Sequence, residues 1–426
     1  MKKLICILLS ILFCSSCTNT DGMPVIHQSS PMPLNGEFNL ISKEDKQDKK
    51  TEENRSANHY TPLNFKEQNA VWISYIDLQP MILGNNKNEF KENMSKAYKE
   101  IKDLGCNTVY VHVRSFGDAY YSSNFYPYSK GITGEIGVEP DFDPLEIMIQ
   151  EAHSSGLSFH AWINPMRCET EENMEKISDS YDLKQWYSNS EKYDEYLVKV
   201  DSDNHYWLNP GVEAVRKLIA DGAAEIVKNY DVDGIHIDDY FYPTTDTYFD
   251  AGIYVENGVK ESLSDWRKNN VTKMVKSIYS NIKEQNPDVL FGVSPQGNME
   301  NNYEFMYADV KKWCSEEGYL DYIVPQIYFG FENSAKPFTR TTEEWSNIVT
   351  CDNVSLVIGL GVYKIGQEDE FLQTTGIIGD QINISQNIKN CGGIALYNYI
   401  NLFEPDDQLA ERTVAELTCI KEAISD

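Results

Sequence analysis

The chain has 426 residues, 41% of them hydrophobic, which is enough for a closed core, and a formal charge of −29. That charge excludes a nucleic-acid partner, because such binding releases counterions through clustered Lys and Arg, and the sequence has no such cluster. Aromatic residues make up 12%, with 27 Tyr and 7 Trp, a composition that suits stacking on sugar faces as well as core packing.

Residues 1–17, MKKLICILLSILFCSSC, have a basic start, an apolar run over 4–13 and small residues before a cysteine. This is the pattern of an export signal, too short to span a bilayer as a mature helix. Ser15 and Ser16 before Cys17 resemble a bacterial lipoprotein signal, with Cys14 where that signal has Leu. Cys17 is therefore the expected lipidation site, and the expected location is the cell envelope, with the lipid anchor as the only membrane contact. Residues 18–58 are polar and lack apolar periodicity, so they are expected to form a disordered tether before a folded domain over 59–426. The remaining cysteines, Cys106, Cys168, Cys314, Cys351, Cys391 and Cys419, show no metal spacing and are expected to act as small hydrophobes.

Eight apolar runs rich in β-branched and aromatic residues follow, at 71–77, 108–113, 158–164, 234–238, 290–295, 322–328, 356–362 and 393–399. Segments of helical period separate them; Val215, Leu218, Ile219, Ala223, Ile226 and Val227 form one apolar stripe. Strand and helix alternating eight times predicts an α/β fold, a (β/α)8 barrel of the TIM type. The helix-to-strand turns are short, whereas the strand-to-helix connections over 114–142, 165–210 and 240–263 are long. Elaboration is thus placed on the C-terminal face, where such barrels build active sites. An open doubly wound sheet is the alternative, but no glycine-rich phosphate loop follows the first run.

Polar and aromatic groups recur at the strand mouths. The second brings Arg114, Asp118 and Tyr121; the third His160, Trp162, Asn164 and Arg167; the fourth His236, Asp238, Asp239 and Tyr240. The fifth adds Ser294 and Gln296, the sixth Gln326, Tyr328 and Glu332, and the last two Tyr363, Tyr397 and Asn398. Acids, amides and rings converging on one mouth suit a polysaccharide, whose hydroxyls need paired donors and acceptors and whose cleavage needs two carboxyl groups. His236 and Asp238 have a spacing that metal ligands also use, but a buried histidine bonded to a neighbour is the commoner arrangement, so neither metal nor other cofactor is expected.

The succession NTVYVHVRSFGDAYY, EIGVEPDFDPLEIMIQEAHSSGLSFHAWINPMR, YWLNPGVEAVR, DVDGIHIDDYFYP, GVSPQGN and DYIVPQIYFG resembles glycosyl-hydrolase-like family ten over about residues 70–419. Members are bacterial envelope proteins with a (β/α)8 domain associated with hydrolysis of peptidoglycan glycan strands. By position, the resemblance implies functional roles for Arg114, Asp118, Asn164, Arg167, His236, Asp238, Asp239, Gln326 and Tyr328. One motif departs from the family: relatives continue the fifth strand as SPFG with a Trp-Arg-Asn tail, whereas this chain has Gln296 and no such Arg or Trp.

Asp238 shares a strand face with His236 and lies four residues after Gly234, as the nucleophile does in the similar motif of α-amylase-like barrels. It is read as nucleophile or charge stabiliser. Alternation sends Asp239 elsewhere unless the strand has ended, and the proton donor is left among Asp239, Asp118 and Glu332. Arg114, Tyr121, Trp162, Asn164, Arg167, His236, Tyr240, Gln326 and Tyr328 are expected to contact substrate. Against this, His160 and Trp162 also fit as barrel filling, and Asp118 after Gly117 fits as a turn cap. The competing functions are a non-catalytic glycan-binding lipoprotein and a metal-dependent polysaccharide hydrolase or deacetylase.

Overall fold

A computed structural model describes residues 60–425 except 368. The signal, Cys17 and the tether lie outside the described residues.

Eleven strands run in chain order: β1 (Gln68–Ile73), β2 (Thr108–Arg114), β3 (Ser158–Ile163), β4 (Arg167–Thr170), β5 (Leu197–Val200), β6 (His205–Leu208), β7 (Gly234–Ile237), β8 (Leu290–Val293), β9 (Tyr322–Ile323), β10 (Ser355–Gly361) and β11 (Cys391–Tyr397). Eight of them close a parallel barrel in the order β1-β11-β10-β9-β8-β7-β3-β2. This is the (β/α)8 barrel expected from the alternation of apolar runs and helical stripes. The other three form an antiparallel sheet, β4-β6-β5, inside the long connection after β3. The helical stripe of Val215, Leu218, Ile219, Ala223 and Ile226 is buried as expected, and Val227 is half-buried.

The first and sixth runs end well short of their expected bounds. The first stops at Ile73, because Ser74 and Asp77 form a reciprocal capping box that starts the helix Tyr75–Ile82. The sixth is only Tyr322–Ile323, since Pro325 has no N–H to continue the ladder; single bridges from Gln326 to Gln296 and Gly359 carry the pairing further.

The barrel interior is a separate core of Ala70, Trp72, Tyr110, Trp162, Tyr322, Val324, Val357 and Ala395. It is aromatic where branched aliphatic residues usually dominate. Gly292 makes room for it, because a Cβ there would lie 2.0 Å from the Tyr322 ring. In β2 the pairing with β3 slips between His112 and Arg114. A bulge of this kind re-aims the next side chain, and Arg114 leaves the face shared by Tyr110 and His112.

Candidate active site

The strand β7 ends at Ile237, so Asp238 and Asp239 both lie beyond the pleat and strict alternation no longer separates them. Asp238 is 3% exposed and Asp239 partly exposed. The Asp238 carboxyl accepts one backbone bond, from Tyr240 N at 3.3 Å. Burial holds its pKa well above the usual carboxylate range and the charge of Asp239 adds to this, while Tyr240 N–H and the Trp162 indole offset only part. Asp239 is also raised by burial, but two side-chain amides oppose the shift: Gln326, whose Nε2 donates to Oδ1 at 3.2 Å, and Gln296. Gln326 is itself fixed by a bond to Ser294 O at 3.1 Å. Both carboxyls are thus raised, and Asp238 is the one left with fewer donors, whereas the two amides hold Asp239.

Rings surround the two acids. Tyr328 stacks on Tyr397 at 5.8 Å and meets Tyr363 edge-on at 5.7 Å, and its hydroxyl pKa is raised by burial, the neighbouring tyrosines and both aspartates. Tyr240 stacks on Trp207 of β6 at 5.8 Å. Arg167 is sandwiched between Phe116 and Tyr240, at 4.9 and 5.0 Å, and donates from Nη1 to the Tyr240 hydroxyl at 3.2 Å. The inserted sheet thus supplies one wall of the mouth. Such flat faces beside two carboxyls suit a pyranose chain.

Below the acids, His236 is fully buried in a directional chain. Trp72 Nε1 donates to His236 Nε2 at 3.1 Å, so Nδ1 carries the proton and donates to the Tyr322 hydroxyl at 3.1 Å. Tyr322 then donates to His160 Nδ1 at 2.7 Å, and His160 Nε2–H reaches Ser158 Oγ at 3.1 Å. Burial lowers both histidines, His160 to about 4, so both are neutral at physiological pH. Both His236 nitrogens are taken, which corrects the expectation that it touches substrate and removes it as a free metal ligand. Among the described residues no three potential ligands converge. His112 is the parallel case: Tyr75 N donates to its Nδ1 at 3.1 Å, its Nε2 reaches Asn164 Oδ1 at 2.9 Å, and burial lowers it to about 3. Trp162 stacks on the His112 ring at 3.3 Å, so Asn164 and Trp162 build the floor of the mouth.

Other expected site residues are placed elsewhere. Arg114 is 1% exposed and packs 4.3 Å over Tyr126, in space left by Gly222, where a Cβ would lie 2.6 Å from Nη1. Tyr121 is fully buried against Tyr230 at 5.8 Å. Both stabilise the underside of the loop after β2, which Glu225 fastens by accepting from Asn124 N at 2.8 Å. Neither offers surface to a substrate. Glu332 is exposed, with its N–H on Glu370 Oε1 at 2.9 Å, and makes no bond to the acid pair. Asp118 is 1% exposed and caps the turn through Ser115 N and Phe116 N at 2.9 and 2.8 Å. It too makes no bond to Asp238.

Tyr75 and Trp207 belong to the mouth and were not singled out in the sequence. Tyr75 falls where the first run seemed to continue as a strand; the Ser-x-x-Asp capping signature at Ser74 and Asp77 is the signal that locates it. Trp207 sits on a strand that no periodicity announces. A groove of about 910 Å3 between the helices Lys87–Leu104 and Ala410–Ser425 contains none of these groups.

A sequence profile for the family described as Glycosyl hydrolase-like 10 matches residues 67–374. Glycosyl hydrolase YngK of Bacillus subtilis (strain 168) is 34% identical over 323 residues, covering 70% of this chain and 61% of that protein, so this chain spans less than two thirds of that relative. Glycosyl hydrolase DigH of Escherichia coli (strain K12) is 30% identical over 379 residues, covering 80% of this chain and 85% of that protein. Among solved structures, the PgaB (BpsB) glycoside hydrolase domain from Bordetella bronchiseptica aligns over 82% of this chain and 99% of its own, with a TM-score of 0.55 and 11% identity, a likeness of fold. The ordered motifs and the closed barrel agree with the profile match, and the chain belongs to the glycosyl hydrolase-like 10 family.

Proposed function

We propose that this protein is an exported, lipid-anchored glycoside hydrolase that cuts glycosidic bonds within peptidoglycan glycan strands, with Asp238 as general acid. The observation that carries this reading is the unequal bonding of two adjacent carboxyls at the mouth of β7: Asp238, 3% exposed, accepts from Tyr240 N at 3.3 Å, whereas Asp239 accepts from Gln326 Nε2 at 3.2 Å. Asp238 delivers its proton to the leaving-group oxygen as the C–O bond breaks, and a water molecule then adds to the anomeric carbon and returns a proton to the Asp238 carboxylate. Asp239, held by Gln326 and Gln296, stabilises the positive charge that develops at the anomeric carbon. Tyr240 and Tyr328, both partly exposed, supply ring faces on which pyranose units stack. Supporting the glycan as substrate are the family and the names of the two bacterial relatives. The export signal and Cys17 support the envelope as the place of work.

The test is incubation of the purified protein with peptidoglycan, stripped of its stem peptides or intact, beside an Asp238→Asn variant. Mass spectrometry should find shortened saccharides from the wild type and almost none from the variant. Equal product from both removes Asp238 from the mechanism. Released acetate with unshortened strands would make the protein a deacetylase, and strand retention without any product would make it a binding lipoprotein. Membrane fractionation of a Cys17→Ala variant tests the anchor, which predicts release into the soluble fraction.

A further inference from the structure

Asp118 uses only half of its carboxylate. Oδ1 accepts from Ser115 N and Phe116 N, whereas Oδ2 is buried with no partner. Ser115, 1% exposed, is in the same condition, its Oγ buried and unbonded. Both residues line a cavity of about 210 Å3 whose walls include Tyr75, Phe116 and Lys130. A buried acceptor without a donor costs about 1–3 kcal/mol, more when charged, so two in one cavity mark a place where a ligand group completes the bonding.

Charge decides what kind of group. Lys130 Nζ lies 3.2 Å from Glu169 Oε2, which also accepts from Asn173 Nδ2 at 2.7 Å, so the lysine is already matched. The free acceptor of Asp118 calls for a donor, namely a hydroxyl, an amide N–H or an ammonium, and repels carboxylate or phosphate. Position decides where that group comes from. Tyr75 meets Phe116 edge-on at 5.0 Å, and Phe116 shares Arg167 with Tyr240 beside the acids, so the cavity adjoins the mouth.

We propose that this cavity is a subsite of the glycan groove in which Asp118 Oδ2 and Ser115 Oγ bind a hydrogen-bond-donating substituent on a sugar adjacent to the cleaved unit. This rests on the glycan-hydrolase reading above. Asp118 is then a substrate-positioning residue, separate from the acid that breaks the bond.

Two variants test it. Ser115→Ala removes a hydroxyl that bonds to nothing in the protein, and Asp118→Asn keeps an oxygen for the turn while replacing the free acceptor with a donor. Turnover of stripped peptidoglycan should show KM raised about tenfold in Asp118→Asn and about threefold in Ser115→Ala, with kcat within about twofold of wild type and melting temperatures at or above that of wild type. Calorimetric binding of N-acetylglucosamine hexamer and glucosamine hexamer identifies the donor: a loss confined to the former assigns an amide N–H, a loss confined to the latter an ammonium, and an equal loss a hydroxyl. Variants that match wild type in KM and in both affinities overturn the subsite, as does a fall in kcat at constant KM, which would place Asp118 in the chemistry. A wild type that neither binds nor cuts any glycan would instead overturn the parent reading.

Discussion

The strand β7 carries a buried aspartate at each end, and the two behave in opposite ways. Asp233, at the N-terminal end, accepts from the Tyr60 hydroxyl at 2.6 Å, Phe159 N at 2.6 Å, His153 Nε2 at 2.8 Å and Leu63 N. Burial pushes its pKa upward, but His153, Tyr60 and these backbone donors bring it below the usual range. Asp238, at the C-terminal end, has Tyr240 N at 3.3 Å and is pushed far up. Both carboxyls are buried, so burial alone does not set the outcome; the number of donors aimed at each does. The bottom of the barrel surrounds its acid with donors, and the top leaves Asp238 short of them.

The pair can be broken from either side. The largest expected effect is Asp238→Asn, which should lower kcat by about a thousandfold, as loss of a general acid does, while raising the melting temperature because a poorly solvated carboxyl is gone. A fall in both activity and stability would refute the contrast. Asp233→Asn should do the reverse, costing about 3 kcal/mol in denaturant unfolding with kcat near wild type. Gln326→Ala comes next: with one clamp on Asp239 lost, kcat/KM should fall about tenfold, without the KM-only signature expected at Asp118. Smallest is Arg114→Met, expected to cost about 1 kcal/mol through lost contact with Tyr126 and to leave KM unchanged, since Arg114 has no exposed surface.

Acid–base titration sharpens the same comparison. Asp233, with its folded pKa depressed, contributes stability that is present above the unfolded pKa of a carboxyl and is lost as pH falls through its folded pKa. Asp238 has the opposite sign. Its contribution is full below the unfolded pKa and declines as pH rises through its raised folded pKa. Unfolding measured against pH should therefore show Asp233→Asn losing its deficit in acid, and Asp238→Asn gaining on wild type as pH rises. The basic limb of the wild-type rate profile should follow the Asp238 proton.

Much of the fold was legible because its signals are local. Each apolar run and each helical stripe declares its period within a few residues, and Ile235 and Ile237 ending at Asp238 mark a strand mouth. Asp239 was harder to read, since alternation assigned it to the far face and only the end of β7 at Ile237 returned it to the mouth. Arg114 was misplaced by a one-residue slip in β2, which turns a mouth residue into a packing one and leaves no mark in composition. His236 looked like a site residue because its partners, Trp72 and Tyr322, are distant in the chain, 164 and 86 residues away.

By itself the sequence determined the barrel, the end of it that bears the long connections, and the presence of Asp238 at the mouth of β7. These follow from periodicity and strand length, which are properties of neighbouring residues. Only the tertiary structure decided that Asp239 shares the mouth with Asp238, which of the two receives side-chain donors, that His236 is part of the scaffold, and that Asp118 lines a second cavity. Those outcomes depend on desolvation and on hydrogen-bond donors from other strands, such as Gln326, 87 residues from Asp239, and no local pattern encodes which donors arrive.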